Sequence, residues 1–93
     1  MITEVEISKR ALKQLKKVPV RIIKNLQLWI GAVNTVGLEE VRRIPGYHDE
    51  PLKGKRQGQR SVRLSRSYRA IYVIIADEKN EFVFIKEVSR HVY

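Results

Sequence analysis

The most basic part of the chain leads directly into its most apolar part, and together they predict two neighbouring strands. Tyr68 to Ala76 is an almost continuous apolar run, which is typical of a central strand that is buried for most of its length. Before it, Val62 and Leu64 alternate with polar residues, which predicts a strand with one face on the core. Arg63 is therefore expected on the opposite, open face of the sheet.

A third strand is expected over residues 81–88, after a tight turn at residues 77–80. Phe82, Phe84 and Val88 are expected on one side of this strand. Strands that follow one another through short connections usually pair with each other. The second half of the chain therefore predicts an antiparallel meander of three strands.

The first half of the chain predicts one strand and two helices. Residues 2–7 approach the alternation of a short edge strand. Ser8 suits the N-cap of a first helix, and Pro19 ends that helix and begins a second one. Gly37 is expected to end the second helix. A short helical piece is predicted from Leu38 to Ile44.

These elements predict a fold of the α+β class. The order is βααβββ, with a helical hairpin packed on one face of a small, mainly antiparallel twisted sheet. A chain of 93 residues suits one hydrophobic core, so residues 1–93 are expected to form a single domain. The face of the sheet without helices is expected to be basic.

Positive charge is concentrated just before and within the predicted hairpin. The formal net charge of the whole chain is +9, which favours nucleic acid, an anionic surface or an acidic protein as the partner. No acidic residue occurs between Pro51 and Ala76, and this stretch is expected to hold its cations without a countercharge. Its cations are Lys53, Lys55, Arg56, Arg60, Arg63, Arg66 and Arg69.

Several kinds of site are not expected in this sequence. The absence of cysteine excludes disulfides and thiolate metal sites. His48 has two acidic neighbours but no second ligand at a recognised spacing, so no metal is expected. Lys53 and Gly54 lack the other residues of a phosphate-binding nucleotide loop. The N-terminus has no long apolar segment, so we expect a cytoplasmic protein that does not contact a membrane.

Three segments carry more specific patterns. They are the basic, glycine-containing loop and strand LKGKRQGQRSVRL (52–64), the Tyr-Arg-x-x-Tyr strand within SYRAIY (67–72), and the C-terminal EVSRHVY (87–93). Together they resemble the RelE/ParE toxin superfamily of bacterial type II toxin–antitoxin systems, in particular its RelE-like and HigB-like messenger-RNA endonucleases. The resemblance covers most of the chain, although the helical part matches only in layout.

The resemblance implies a ribonuclease that needs neither metal nor cofactor and cuts messenger RNA in the ribosomal A site, where ribosomal RNA surrounds it. The ribose 2′-hydroxyl attacks the adjacent phosphate in such enzymes. Fixed cations suit this reaction because its transition state gathers negative charge. The implied protein partner is an antitoxin that combines an acidic segment with a DNA-binding domain, in a complex that can be of higher order.

The resemblance also assigns roles to individual residues. Arg63 and Arg69 match cations at the scissile phosphate, and His91 and Tyr93 match C-terminal acid–base or stacking positions. His91 is the preferred base, because histidine ordinarily titrates near neutral pH. Ser61 stands where some members of the superfamily carry a catalytic lysine. The residues expected to bind RNA or phosphate are Lys53, Lys55, Arg56, Arg60, Arg66 and Arg90.

Two alternatives remain open on the sequence alone. A ParE-like toxin shares the fold but inhibits DNA gyrase by binding and has no ribonuclease site. A non-catalytic RNA-binding module would bind with a steep dependence on salt and would not cleave.

Overall fold

The computed structural model describes residues 1–91, and within them five strands and three α-helices follow one another. The strands are β1 (Glu4–Ile7), β2 (Glu50–Pro51), β3 (Arg60–Arg63), β4 (Tyr68–Ala76) and β5 (Glu81–Arg90). The helices are α1 (Lys9–Leu15), α2 (Val20–Val36) and α3 (Leu38–Val41), with single 3₁₀ turns at Pro45–Tyr47 and Gly54–Arg56. The expected α+β class is confirmed. The two-residue strand β2 was not predicted, and α3 ends three residues earlier than expected.

All five strands join one sheet in the order β1-β5-β4-β3-β2. β1 runs parallel to β5, and the other neighbours are antiparallel, so the sheet is mainly antiparallel as predicted. The parallel pair is possible because α1 to β4 lie between β1 and β5 in the chain and return it to the same end of the sheet. The longest strands, β4 and β5, occupy the middle of the sheet.

A β-bulge interrupts the pairing of β4 with β5. Ile71 is the partner of Glu87 and Tyr72 is the partner of Ile85, so Lys86 has no partner in β4. One extra residue in a strand reverses which face the later side chains occupy. The bulge therefore divides β5 into two segments, in which the alternation of side chains between the two faces of the sheet is opposite.

The bulge overturns one prediction about β5. Val88 is the partner of Ala70 and is buried on the helix-covered face, where it joins the core. Phe82 and Phe84 lie on the other face, and Phe84 is the partner of Val73. The expectation that these two phenylalanines share a side with Val88 is wrong, because it assumed strict alternation along the strand, and strict alternation does not reveal an inserted residue. The uncovered face also has an apolar part, in addition to the expected basic one.

The core lies between the sheet and α2. Ile22, Leu26, Trp29 and Val33 form the buried stripe of this helix. The ring of Trp29 packs against that of Tyr72 in β4, with 5.4 Å between the ring centroids. Trp29 is fully buried, as its place in an apolar stripe predicted, and is not a surface for stacking bases.

Helix α1 covers the edge of β5 beyond the end of β1. Ser8 caps the helix by accepting from the backbone N–H of Ala11 at 3.0 Å, as expected, and its hydroxyl donates to the carbonyl of Lys86 at 2.8 Å. Gln14 accepts the N–H of Val88 at 2.7 Å. These contacts give hydrogen-bond partners to backbone groups at the free edge of β5. They also hold in place the part of β5 that leads to the C-terminus.

Gly37 ends α2 and begins α3, as its position predicted. Its φ of 90° is in the region that favours glycine, and its N–H donates to the carbonyl of Val33 at 2.9 Å. Within residues 1–91, none of the helices has the length and apolar character needed to cross a membrane.

Candidate active site

A pocket of about 220 Å³ opens on the uncovered face of the sheet, where β2, β3, β4 and the end of β5 meet. Its lining is mainly polar and combines cations, a carboxylate and imidazoles. The side chains with polar groups that line it are His48, Glu50, Ser61, Arg63, Tyr68, Arg69 and His91. Four of them, Ser61, Arg63, Arg69 and His91, had been singled out from the sequence.

The cationic side of the pocket is built on the pairing of β3 with β4. Arg63 is the direct cross-strand partner of Arg69, and like charges at directly opposite positions destabilise a sheet. The Nε of Arg69 is buried and has no acceptor within residues 1–91. An unsatisfied buried donor costs about 1–3 kcal/mol. An anion bound at Arg69 would supply an acceptor for this donor.

The C-terminal end of β5 reaches the same pocket. The backbone N–H of His91 donates to the carbonyl of Ser67 at 2.6 Å, which ties the chain end to the turn between β3 and β4. His91 thus lines the same pocket as Arg69. Arg90 is the partner of Tyr68, whereas Ser89 is the partner of Arg69, so the side chain of Arg90 leaves the strand on the opposite face. Tyr93 lies outside the described residues.

His48 and Glu50 are site residues that the sequence reasoning missed. His48 follows the 3₁₀ turn at Pro45–Tyr47 with a left-handed φ of 45°, and Glu50 pairs with Ser61. The sequence had been searched for metal ligands around His48, and proton transfer had not been considered. A signal for Glu50 was present, because a residue before proline favours the extended backbone of a strand.

Two cations of the basic stretch are paired with acids that lie outside it. Arg56 donates to Glu87 at 2.9 Å, and the Glu87 side chain is only 8% exposed. Burial raises the pKa of Glu87, but the hydrogen bond and charge of Arg56 outweigh it and hold that pKa below its ordinary value. Arg60 donates through Nε to Asp49 at 2.6 Å. The expectation of cations without a countercharge is therefore wrong for Arg56 and Arg60.

Lys53, Lys55 and Arg66 remain at the surface. Gly54 and Gly58 bend the loop with φ values of 67° and 93°, a conformation that favours glycine. These three cations can attract a polyanion, but none of them lines the pocket. Within residues 1–91, no group of three or more histidine, aspartate or glutamate side chains is placed to hold a metal ion.

An apolar groove of about 450 Å³ adjoins the pocket. It lies between α2, the turn at residues 45–47 and the β3–β4 turn, and its apolar lining includes Leu28, Ile44 and Leu64. Arg63 borders both the groove and the pocket, and Arg66 stands at the groove. Anything that fills the groove would therefore also meet the cationic side of the pocket.

Several solved structures share this fold. YafQ from Escherichia coli is 20% identical, with 95% of this chain and 92% of that chain covered at a TM-score of 0.69. The YoeB/ParE toxin from Agrobacterium tumefaciens is 16% identical, with 96% and 99% covered at 0.68. A chain of the RelBE2 toxin–antitoxin complex from Mycobacterium tuberculosis is 26% identical, with 98% and 100% covered at 0.59.

No protein-family model matches the sequence, and no curated protein matches it either. The structural neighbours are toxins of the RelE/YoeB superfamily. The resemblance to the RelE/ParE superfamily, inferred from three sequence segments, is confirmed at the level of the fold.

Proposed function

We propose that this chain is the toxin of a type II toxin–antitoxin pair and that it cleaves messenger RNA on the ribosome. The observation that carries the proposal is the pocket on the uncovered face, where two arginines and two histidines meet. A phosphate fits the arginines, and an imidazole can serve as a general acid or a general base. The neighbours of the same fold, which include a toxin and a toxin–antitoxin complex, support the toxin role.

The proposed reaction is an internal transfer at phosphorus. The 2′-oxygen forms a bond to phosphorus while the bond from phosphorus to the 5′-oxygen breaks. The proton of the 2′-hydroxyl passes to a base, and the departing 5′-oxygen takes a proton from an acid. The products are a 2′,3′-cyclic phosphate and a new 5′-hydroxyl end.

Arg63 and Arg69 are assigned to the phosphate in this reaction. The transition state carries more negative charge on the phosphoryl oxygens than the ground state, so cations fixed in advance stabilise it preferentially. The buried Nε of Arg69, which lacks an acceptor within residues 1–91, is aligned with this role. Of the cations expected to bind RNA, Lys53, Lys55 and Arg66 remain proposed contacts to the backbone, whereas Arg56 and Arg60 do not.

His91 is assigned as the base and His48 as the acid, because they are the two imidazoles that line the pocket. Glu50 adds a carboxylate at the same place. A substrate with sulfur in place of the bridging 5′-oxygen separates the two roles, since a thiolate leaves without a proton. That substrate should restore cleavage to His48→Ala but not to His91→Ala; the reverse pattern would exchange the two assignments.

The activity itself is tested by primer extension on messenger bound to translating ribosomes, with the same messenger free in solution as the control. We expect cleavage within the A-site codon and almost none of the free RNA, because the pocket is small and the groove that adjoins it is mainly apolar, which does not suit a long charged strand. Intact messenger together with slowed gyrase supercoiling would replace the proposal with a ParE-like activity. Binding without either effect would leave an RNA-binding module.

The proposed protein partner is an antitoxin with an acidic segment. The apolar groove beside Arg63 and Arg66 has the chemistry to receive such a segment, with an aliphatic side chain inside and carboxylates at the arginines. A segment bound there would also cover Arg63. The partner therefore would block the candidate active site by the same contact that holds it.

Two exposed leucines offer a matched test of this partner site. Leu28 lines the groove and is 67% exposed, whereas Leu12 on α1 is 50% exposed and does not line it. With the antitoxin co-expressed, Leu28→Glu should escape neutralisation and arrest growth, and Leu12→Glu should stay neutralised. Equal neutralisation of the two variants would place the antitoxin elsewhere on the surface.

A further inference from the structure

Three consecutive residues divide between the two faces of the structure. His48 and Glu50 line the pocket, while the side chain of Asp49, between them, is fully buried on the other side. Its Oδ1 accepts from the Nε of Arg60 at 2.6 Å, and its Oδ2 accepts from the hydroxyl of Tyr72 at 2.6 Å. The candidate acid and a pocket carboxylate thus flank the most firmly bonded carboxylate described in the chain.

The partners of Asp49 belong to the best-packed part of the molecule. Arg60 and Tyr72 are direct cross-strand partners in β3 and β4, and the ring of Tyr72 packs against Trp29 in the core. The Nη2 of Arg60 also donates to the backbone carbonyl of Asp49 at 3.4 Å. Side chain and main chain of Asp49 are therefore both attached to the central strands.

The other contacts of this segment with the sheet are the short pairing of β2 with β3 and the bond from the N–H of Leu52 to the carbonyl of Gln59 at 2.8 Å. β2 consists of only two residues, and the residue before Asp49 has a left-handed backbone that few non-glycine residues adopt. A backbone conformation of this kind persists only where its surroundings impose it. The N–H of His48 donates to the carbonyl of Pro45 at 3.1 Å on one side, and the bonds to Asp49 hold the chain on the other side.

The chemistry of the bonds between Asp49, Arg60 and Tyr72 indicates that Asp49 orients the chain around it and does more than fill space. Burying a carboxylate costs free energy unless it is paired, and an apolar side chain would fill the same space without that cost. What a carboxylate adds is two directed bonds to two different strands. Burial and the hydrogen bond to Asp49 both raise the pKa of Tyr72, so its hydroxyl keeps the proton that it donates.

We propose that Asp49, held by Arg60 and Tyr72, is a positioning residue that sets His48 and Glu50 in the active-site pocket. The inference rests on the proposed function, since it assigns a purpose to the pocket. It also gives Arg60 a role that the sequence did not suggest: Arg60 acts through Asp49 and does not contact RNA.

Tyr72→Phe is the sharpest variant, because it removes one hydroxyl and keeps the ring that packs on Trp29. Asp49→Asn weakens both bonds, and Asp77→Asn is the matched control in the distant β4–β5 turn. A core variant, Val33→Ala, controls for lost stability, since it creates a small cavity without touching the network. If Asp49→Asn does not fold, Tyr72→Phe still decides the question.

Two measurements are made on these variants. In single-turnover cleavage on programmed ribosomes, Tyr72→Phe should lower the maximal rate on the order of tenfold with half-saturation unchanged, because a misplaced catalytic group slows chemistry more than binding. In NMR relaxation of the histidine rings of the free protein, His48 should become more mobile and His91 should not. Asp77→Asn should change neither quantity.

The NMR measurement remains informative if the ribonuclease proposal fails, because it needs no substrate. Unchanged mobility of His48 in Tyr72→Phe would overturn the positioning role. An equal loss of rate in Val33→Ala at equal thermal stability would also overturn it, since the network would then act only through overall stability.

Discussion

Arg60 and Arg63 belong to the same four-residue strand and carry the same charge, but they differ in the face of the sheet that they occupy and in their surroundings. Arg60 is on the face of β3 that meets the core, with a side chain 22% exposed and bonded to the fully buried Asp49. Arg63 is on the uncovered face, opposite Arg69 and beside the two histidines of the pocket. Arg60 is bonded to a buried carboxylate beside the core, whereas Arg63 lines an open pocket that a substrate phosphate can enter.

The comparison shows that a cluster of cations in the sequence is not one surface in the structure. The stretch from residue 51 to residue 76 has no acid of its own, but Asp49 and Glu87 reach into it from either side. Alternation along a strand then sends neighbouring cations to opposite faces. Face and countercharge together decide which arginines stabilise the fold and which are available for catalysis.

The largest effect should come from Arg69, which pairs with Arg63 and lines the pocket of the proposed active site. Arg69→Ala should lower cleavage on programmed ribosomes on the order of 10²–10³-fold, because it removes a donor aimed at the transferring phosphate. The folded state should be no less stable, since a buried unsatisfied donor and a like-charge pair are removed with it. Arg69→Lys should restore only part of the rate. Full activity in the alanine variant would remove this residue from the site.

Arg60 and Arg63 should separate in a measurement of stability. Arg60→Ala leaves the buried Asp49 carboxylate without its cation and should lower the free energy of unfolding by about 3 kcal/mol. Arg63→Ala should lower it by less than Arg60→Ala does, because the side chain of Arg63 lines an open pocket on the uncovered face of the sheet. Urea unfolding of the two variants measures the difference. Equal losses would contradict the division of the strand into a structural and a catalytic side.

His91 tests whether the chain end belongs to the catalytic side. His91→Ala should reduce cleavage on the order of 10²-fold and relieve growth arrest, because the 2′-hydroxyl loses its base. The circular dichroism spectrum should stay that of the wild type, since the backbone N–H of residue 91, which donates to the carbonyl of Ser67, is kept in the variant. Undiminished toxicity would show that another group takes the proton.

Glu87 extends the comparison to the basic loop and should give the smallest effect. Its pKa is lowered in the folded state, so its ionised form contributes stability above the ordinary value of 4.5, and this contribution disappears as the pH falls through the lowered pKa. Glu87→Gln should therefore cost about 1 kcal/mol at pH 7, and less as the medium becomes more acidic. Urea unfolding at several pH values tests this. A difference that does not vary with pH would mean that Glu87 acts through packing alone.

The sequence by itself determined the elements and most of the core. Periodicity placed α1 and α2 and the strands β1, β3, β4 and β5, because one buried face imposes its period on the side chains. The three motif segments led to the RelE-like fold, and they led to Arg63, Arg69 and His91 as residues that share a pocket. Those residues could be identified from the sequence because each lies on, or directly after, a strand. Alternation of polar and apolar residues along a strand shows which side chains share a face.

Only the tertiary structure decided the rest. The bulge at Lys86 moved Val88 to the core face, and no local pattern announces an inserted residue. The 3₁₀ turn before His48 brought an unrecognised histidine into the pocket. Asp49 and Glu87 met their arginines over separations of 11 and 31 residues. A countercharge depends on distance in space, and the chain closes that distance only when the sheet has formed.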